Sequence, residues 1–131
     1  MDIKKVFGTN KIAEQEGVWV DVGAGGKLLV ARLGNTNFSN SFKRLLQPHQ
    51  IKLRNRNLPD DIQEKITIEA FAETVLLGWE GLEVDGKKIV YSKAEAIRLM
   101  TEYSDFKDMV TFVAGDIKNF QVEVEAAAIK N

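Results

Sequence analysis

Four groups of residues have types and spacings that could do chemistry. The run Gly23-Ala24-Gly25-Gly26 follows Val18-Trp19-Val20-Asp21-Val22, a hydrophobic segment carrying an acid just before an open backbone. A loop of that kind lets peptide N–H groups approach a nucleotide or cofactor. Glu69 and Glu73 stand one helical turn apart, a spacing at which two carboxylates could share a cation or split acid and base roles. Lys52, Arg54 and Arg56 alternate along one edge of a ribbon and could contact phosphates. His49 is the sole histidine.

The surroundings of each group decide what it can do. Val20 to Gly26 resembles the strand-to-loop motif of S-adenosylmethionine-dependent methyltransferases. Such a loop should open a helix, and a second strand about 20 residues on should end in an acid for the ribose. Lys27 to Leu33 is strand-like instead, and residues 40–58 contain no Asp or Glu. No Gly-Lys-Ser or Gly-Lys-Thr follows to make a phosphate loop. Glu69 and Glu73 lack a partner histidine and read as a solvated face. His49, with no cysteine and no second histidine, cannot build a histidine-rich metal site or a Ser-His-Asp triad, and reads as a surface loop residue. The basic ribbon lacks interleaved aromatics for base stacking. The expectation is therefore no catalytic, cofactor-binding or metal-binding residue and no enzyme, with a small S-adenosylmethionine-binding protein as a remote alternative.

Composition points the same way. The chain has 131 residues, enough for one domain with a real core, and no cysteine that would staple it. Lys and Arg number 18 against 19 Asp and Glu, a balance that argues against a general nucleic-acid binder or a membrane-surface protein. No apolar run approaches the roughly 18 residues a bilayer requires, and Met1-Asp2-Ile3-Lys4-Lys5 is not followed by a signal-peptide core. A soluble intracellular protein is expected. Charge is nonetheless uneven. Residues 43–56 carry Lys43, Arg44, Lys52, Arg54 and Arg56 without an acid, whereas residues 102–125 are mainly acidic. Both stretches read either as solvated faces or as a head-to-tail contact between subunits.

The elements that must position these residues follow from local pattern. Ile3, Val6 and Phe7 are expected to cover part of the core, and Lys11 to Glu16 to form a helical turn ended by Gly17. Residues 17–33 read as a hairpin turned by the glycine run. After Gly34-Asn35-Thr36-Asn37, the spacing of Phe38, Phe42, Leu45 and Leu46 predicts a helix over 38–47. Ile51 to Asn57 reads as a short strand or extended linker. Pro59 and the acids after it open a helix over 59–77, with Gly78 as its stop. Asp85-Gly86 is a two-residue turn between Leu82 and Val84 on one side and Ile89 and Tyr91 on the other, which places a second small hairpin near residues 82–91. Ser92 and Glu95 form a capping box before a helix over 93–103. A last helix over 105–124 carries Phe106, Met109, Val110, Val113, Ile117, Phe120 and Val124 at spacings of three and four, more apolar surface than a lone helix leaves in water. The predicted fold is α+β, an N-terminal hairpin packed on a bundle of about four helices.

The stretch Gly78 to Asp105 also carries a resemblance. Trp79-x-Gly81, then Asp85-Gly86, a hydrophobic, Tyr91-Ser92 and a helix with Glu and Ala in its first turn resemble the C-terminal half of phage tail assembly chaperones. A looser likeness extends over residues 17–46. The resemblance implies an assembly factor of long-tailed bacteriophages that binds the tape measure protein and self-associates along it as a homo-oligomer. It would act in the host cytoplasm and be absent from the mature virion. It also implies a frameshifted longer form, with which Lys130-Asn131 is compatible. Trp79, Gly81, Asp85, Gly86, Tyr91 and Ser92 match the family pattern and read mostly as determinants of the fold. Phe106, Met109, Val113, Ile117, Phe120 and Val124 are the candidate surface for the partner or for self-association, with core packing the expected role from Phe106 to Val113 and either core or a partner groove from Ile117 to Val124. A structural connector or tail-completion protein is the alternative.

Overall fold

The computed structural model describes residues 1–122. The fold is α+β. Two short helices come first, α1 (Ile3–Phe7), capped by the Asp2 carboxylate accepting from Lys5 N, and α2 (Lys11–Glu16), capped by Asn10. Gly17, at φ 92°, turns the chain into strands β1 (Val18–Gly23) and β2 (Gly26–Val30). Helix α3 (Thr36–Leu46) runs through a 3₁₀ turn (Gln47–His49) into α4 (Gln50–Arg54). Then come α5 (Asp60–Thr74), β3 (Leu76–Glu80) and the ribbon of β4 (Glu83–Val84) and β5 (Lys87–Lys88). Helices α6 (Lys93–Glu102) and α7 (Ser104–Gly115) and a 3₁₀ turn (Ile117–Phe120) complete the described chain.

The expected hairpin is present, and it is part of a larger sheet. Strands β1, β2 and β3 form an antiparallel sheet in that order, with β2 in the centre. The register puts Val18, Val30 and Leu76 in one cross-strand row and Val20, Leu28 and Trp79 in the next. Both rows face a single hydrophobic cluster with Phe71 and Val75 from the α5 region, Leu99 and Met100 of α6, Val110 and Val113 of α7, and Phe120. On the opposite face Trp19, Leu29 and Gly78 make a row. A Cβ at Gly78 would meet Leu29 at 3.4 Å and the Trp19 ring at 3.7 Å, so the bare glycine leaves room for the indole to lie across the sheet.

Three expectations about boundaries are corrected. The helix over 59–77 ends at Thr74, and Leu76, Leu77 and Gly78 belong to β3. Gly78 is thus a strand residue and not a helix stop. The α5 end is sealed instead by Asn35, whose Nδ2 donates to Thr74 O at 3.1 Å, while Ala31 N donates to Val75 O at 2.9 Å. Ile51 to Arg54 is helical, carried over from α3 by the 3₁₀ turn at Pro48, and no residue of α4 is buried. The helix over 105–124 ends at Gly115, and Asp116 restarts the chain as a 3₁₀ turn by accepting from Lys118 N at 3.0 Å. Val124 and the tail from 125 to 131, including Lys130-Asn131, lie outside the described residues.

The remaining helices stand close to their predicted bounds. Ser92 Oγ accepts from Glu95 N at 3.0 Å and starts α6, but the Glu95 carboxylate takes the Arg98 guanidinium at 2.7 Å, so only half of the capping box forms. Ile3, Val6 and Phe7, expected against the core, are exposed on α1. That helix is nevertheless held in place, since Val122 N donates to Gly8 O and Asn10 N donates to Phe120 O at 2.7 Å.

Candidate functional site

One sizeable cleft is an apolar groove of about 630 Å³. Val22 and Gly26 form its floor at the β1–β2 turn, Leu82, Val84 and Ile89 one wall at the small ribbon, and Leu99, Tyr103, Phe106 and Met109 the other wall across the α6–α7 junction. Glu83 is the one charged residue among those that line it.

Local chemistry builds each wall. The β1–β2 turn has positive φ at Gly23, Ala24 and Gly25, and Asp21 Oδ1 accepts from Gly23 N at 2.8 Å, so the acid that suggested a ribose contact caps its own turn. The loop opens into β2 and offers no helix end to a cofactor. Gly81, at φ 75°, runs tight against this turn, and a Cβ there would lie 2.2 Å from Gly25 O. Leu82 is laid over Gly26 as a result. Asp85 and Gly86, at φ 52° and 75°, have the paired left-handed backbone of a type I′ turn. Ile89 N donates to Leu82 O at 2.9 Å and closes the ribbon.

The ribbon is pinned to the sheet by an aromatic pair. Trp79 Nε1 donates to Ile89 O at 2.8 Å, Tyr91 Oη donates to Leu76 O at 2.7 Å, and the rings meet edge to face at 4.9 Å. Burial pushes the Tyr91 phenol above its ordinary pKa. All six residues of the Trp79 to Ser92 pattern thus act in turns, caps or buried hydrogen bonds that hold the groove's wall.

The predicted partner stripe is split. Phe106 and Met109 line the groove, whereas Val113 and Phe120 are core residues. Ile117 lines a second, more polar cleft of about 520 Å³ with Phe7, Lys11, Glu14 and Arg32. Arg32 stands 5.6 Å over the Phe120 ring, and its Nη1 is buried with no hydrogen-bond partner. The stripe's period runs past Gly115, but the backbone bends there and turns its two halves in different directions.

Sequence reasoning missed a polar hub. Glu73, read as part of a wet face, accepts from Ser41 Oγ and Arg44 Nη2 at 2.6 Å each and from Lys93 Nζ at 2.7 Å, joining α3, α5 and the start of α6. Burial pushes its carboxyl upward, but hydrogen bonds from Lys93, Ser41 and Arg44 outweigh that and hold it down at about 2. Nothing local announces a contact between residues this far apart in the chain. Glu69 lies 3.8 Å from the same Lys93. Among the described residues no group of acids or histidine is placed to hold a metal ion. His49 sits in the 3₁₀ turn, and Lys52 and Arg54 lie on α4 and not along a ribbon edge.

The fold and its groove define an α+β domain with an apolar groove beside its sheet. The model of the YdaY prophage protein family matches residues 33–131, and the chain belongs to that family. It is a phage-related protein. No curated protein and no solved structure matches it.

Proposed function

We propose that the chain is a tail assembly chaperone, which binds the tape measure protein of a long-tailed phage and keeps it soluble until the tail tube forms around it. The observation that carries this reading is the open apolar groove. A protein that holds a long helical client must cover apolar helix surface reversibly, and a groove walled by Leu82, Ile89, Phe106 and Met109 offers such cover without the fixed polar contacts of a small-molecule pocket. Met109 adds an unbranched, polarizable side chain that adapts to varied partners. Membership of a prophage family and the Trp79 to Ser92 pattern support the phage setting. In this reading the protein works as an oligomer in the host cytoplasm, performs no catalysis, and leaves before the virion is complete.

The test is co-expression with the long coiled-coil-rich protein of the same prophage, scoring how much of that partner stays soluble and whether the two co-purify. A partner that dissolves only with this chain present, in a joint complex, supports the chaperone. Unchanged solubility and no complex would refute it, and retention of the chain in purified particles would point to a connector or tail-completion subunit.

A further inference from the structure

The segment after α3 stands away from the body of the domain. From Gln47 to Asn57 every residue is exposed except His49, which is half-buried. Leu58 is the next buried side chain and returns the chain to the domain. The arm is nevertheless ordered by its own backbone. Asn57 N donates to Lys52 O at 2.7 Å and Arg56 N to Leu53 O at 3.1 Å, the paired bonds of a Schellman close, with Arg56 in the left-handed conformation at φ 57°. Glycine takes that position without steric cost, and an arginine does not. A cation thus stands where the backbone alone would favour glycine, an outlier of the kind that accompanies binding sites.

Charge and shape on the arm are both one-sided. Residues 22–59 contain no Asp or Glu, and Lys52, Arg54 and Arg56 take part in no ion pair among the described residues. The next acids along the chain, Asp60 and Asp61, open α5 beyond the buried Leu58. At about 100° per residue, Lys52 and Arg54 lie about 160° apart around α4, on its two flanks. Ile51 falls between them, and Asn55 follows one turn along the same side. Ile51 is 74% exposed and Leu53, on the opposite side, 42%, so the side of Ile51 and Asn55 is the one that faces outward.

We propose that α4 enters the major groove of duplex DNA, with Lys52 and Arg54 on the phosphates of the two strands, Arg56 on a phosphate further along, and Ile51 and Asn55 against the base edges. Other anionic partners fit the arm less well. A membrane surface, or a groove in a partner protein, calls for apolar residues gathered on one face, and Ile51 and Leu53 point away from each other. Single-stranded nucleic acid is held by aromatic rings on which its bases stack, and residues 47–57 contain no Phe, Tyr or Trp. The major groove of A-form RNA is too narrow for side chains to read, whereas that of B-DNA, about 12 Å wide, admits a helix about 10 to 12 Å across. An asparagine suits adenine and an aliphatic side chain suits the thymine methyl, so A·T pairs are the preferred site. The whole chain has a net charge of −1, so attraction to DNA is confined to the arm. This surface is separate from the apolar groove and takes nothing from the chaperone reading.

Fluorescence anisotropy of a short labelled A·T-rich DNA duplex, titrated with the full chain, tests this. Micromolar binding is expected at low salt, with log K falling against log salt at a slope of roughly −3 for three phosphate contacts. Arg56→Gly should melt at or above the wild-type temperature, weaken binding several-fold and reduce the slope by about 1. Lys52→Gln/Arg54→Gln changes exposed side chains on the two flanks, and should abolish binding in a protein that melts like wild type. Duplex RNA, single-stranded DNA, polyglutamate and phosphatidylglycerol vesicles should each bind roughly tenfold more weakly or not at all. No binding at low salt, an Arg56→Gly protein that binds DNA as wild type does, or a loss of stability on that change would overturn the proposal. So would equal binding of any of the four competitors; polyglutamate would assign the arm to an acidic protein partner, and the vesicles to a membrane surface. None of these measurements involves the tape measure protein, so they leave the chaperone reading to its own test.

Discussion

The Asn35 side chain joins two helices through the Thr74 carbonyl. Its Nδ2 donates to Thr74 O at 3.1 Å at the end of α5, and its Oδ1 accepts from Phe38 N at 3.0 Å at the start of α3. Asn35 is buried, so neither contact is replaced by water if it is lost. Asn35→Ala should cost about 2 kcal/mol, the sum of a lost N-cap and an unpaired buried carbonyl. Asn35→Asp keeps the cap acceptor but points a carboxylate at Thr74 O, and should destabilise at least as much. Urea unfolding of both variants checks this, and an aspartate variant as stable as wild type would show that the α5 contact is dispensable.

The Glu73 hub predicts an acid limb of stability. Its folded carboxyl sits at about 2 against an ordinary 4.5. The folded state therefore binds the proton less tightly than the unfolded chain, and the stabilisation is fully present above about 4.5 and is lost as pH falls towards 2. Glu73→Gln should cost about 1 kcal/mol at neutral pH, a modest figure because Arg44 and Lys93 stand largely in solvent. Thermal melts of the two proteins should converge as pH falls through this window. A gap that persists unchanged at pH 2 would contradict the assignment.

Two glycines of similar backbone conformation should differ in what they tolerate. Gly81 and Gly86 both have φ 75°, but a Cβ at Gly86 meets nothing, whereas at Gly81 it meets Gly25 O. Gly86→Ala should cost only the left-handed backbone penalty, about 1 kcal/mol. Gly81→Ala adds a main-chain clash and should cost about 3 kcal/mol or more. Equal melting temperatures would mean that the β1–β2 turn and the link to the ribbon separate easily.

Met109 and Val113 lie one turn apart on α7 and should behave oppositely. Val113→Asp puts a charge in the core and should unfold the domain or cost about 3 to 5 kcal/mol. Met109→Asp puts it at the partly buried groove wall and should cost clearly less than Val113→Asp, while, on the proposed chaperone role, abolishing client solubilisation. Client binding that survives Met109→Asp in a well-folded protein would move the client elsewhere.

The parts of the fold legible in the sequence are those fixed by short-range chemistry. Asp85-Gly86 and the Gly23 to Gly26 run specify turns because their residues accept positive φ, and Ser92 and Asn35 specify helix starts because their side chains reach nearby amides. What was illegible depends on distant partners. Leu76 and Leu77 continue the apolar spacing of α5 and read as its last turn, yet they open β3 because β2 has an unpaired edge that only a remote segment can fill. Ile51 to Arg54 alternates like a strand but has no sheet to join. The break at Gly115-Asp116 was present as a glycine followed by a capping acid, and the unbroken apolar period masked it. In the groove, Phe106 and Met109 stood out by spacing, while Val22 and Gly26 join them only because Gly81 presses the ribbon against the first turn.

The central position of β2 also sets an order of events during synthesis. The first hairpin leaves the ribosome as a two-stranded ribbon, a marginal structure in water. Its inner strand pairs Leu28 with Trp79, so the sheet stays incomplete until the whole of α3, α4 and α5 has been made. Closure of that long loop is the slow, topology-limited step expected for a nonlocal strand pairing. Until Glu80 emerges, the peptide groups along one edge of β2 have no strand to pair with.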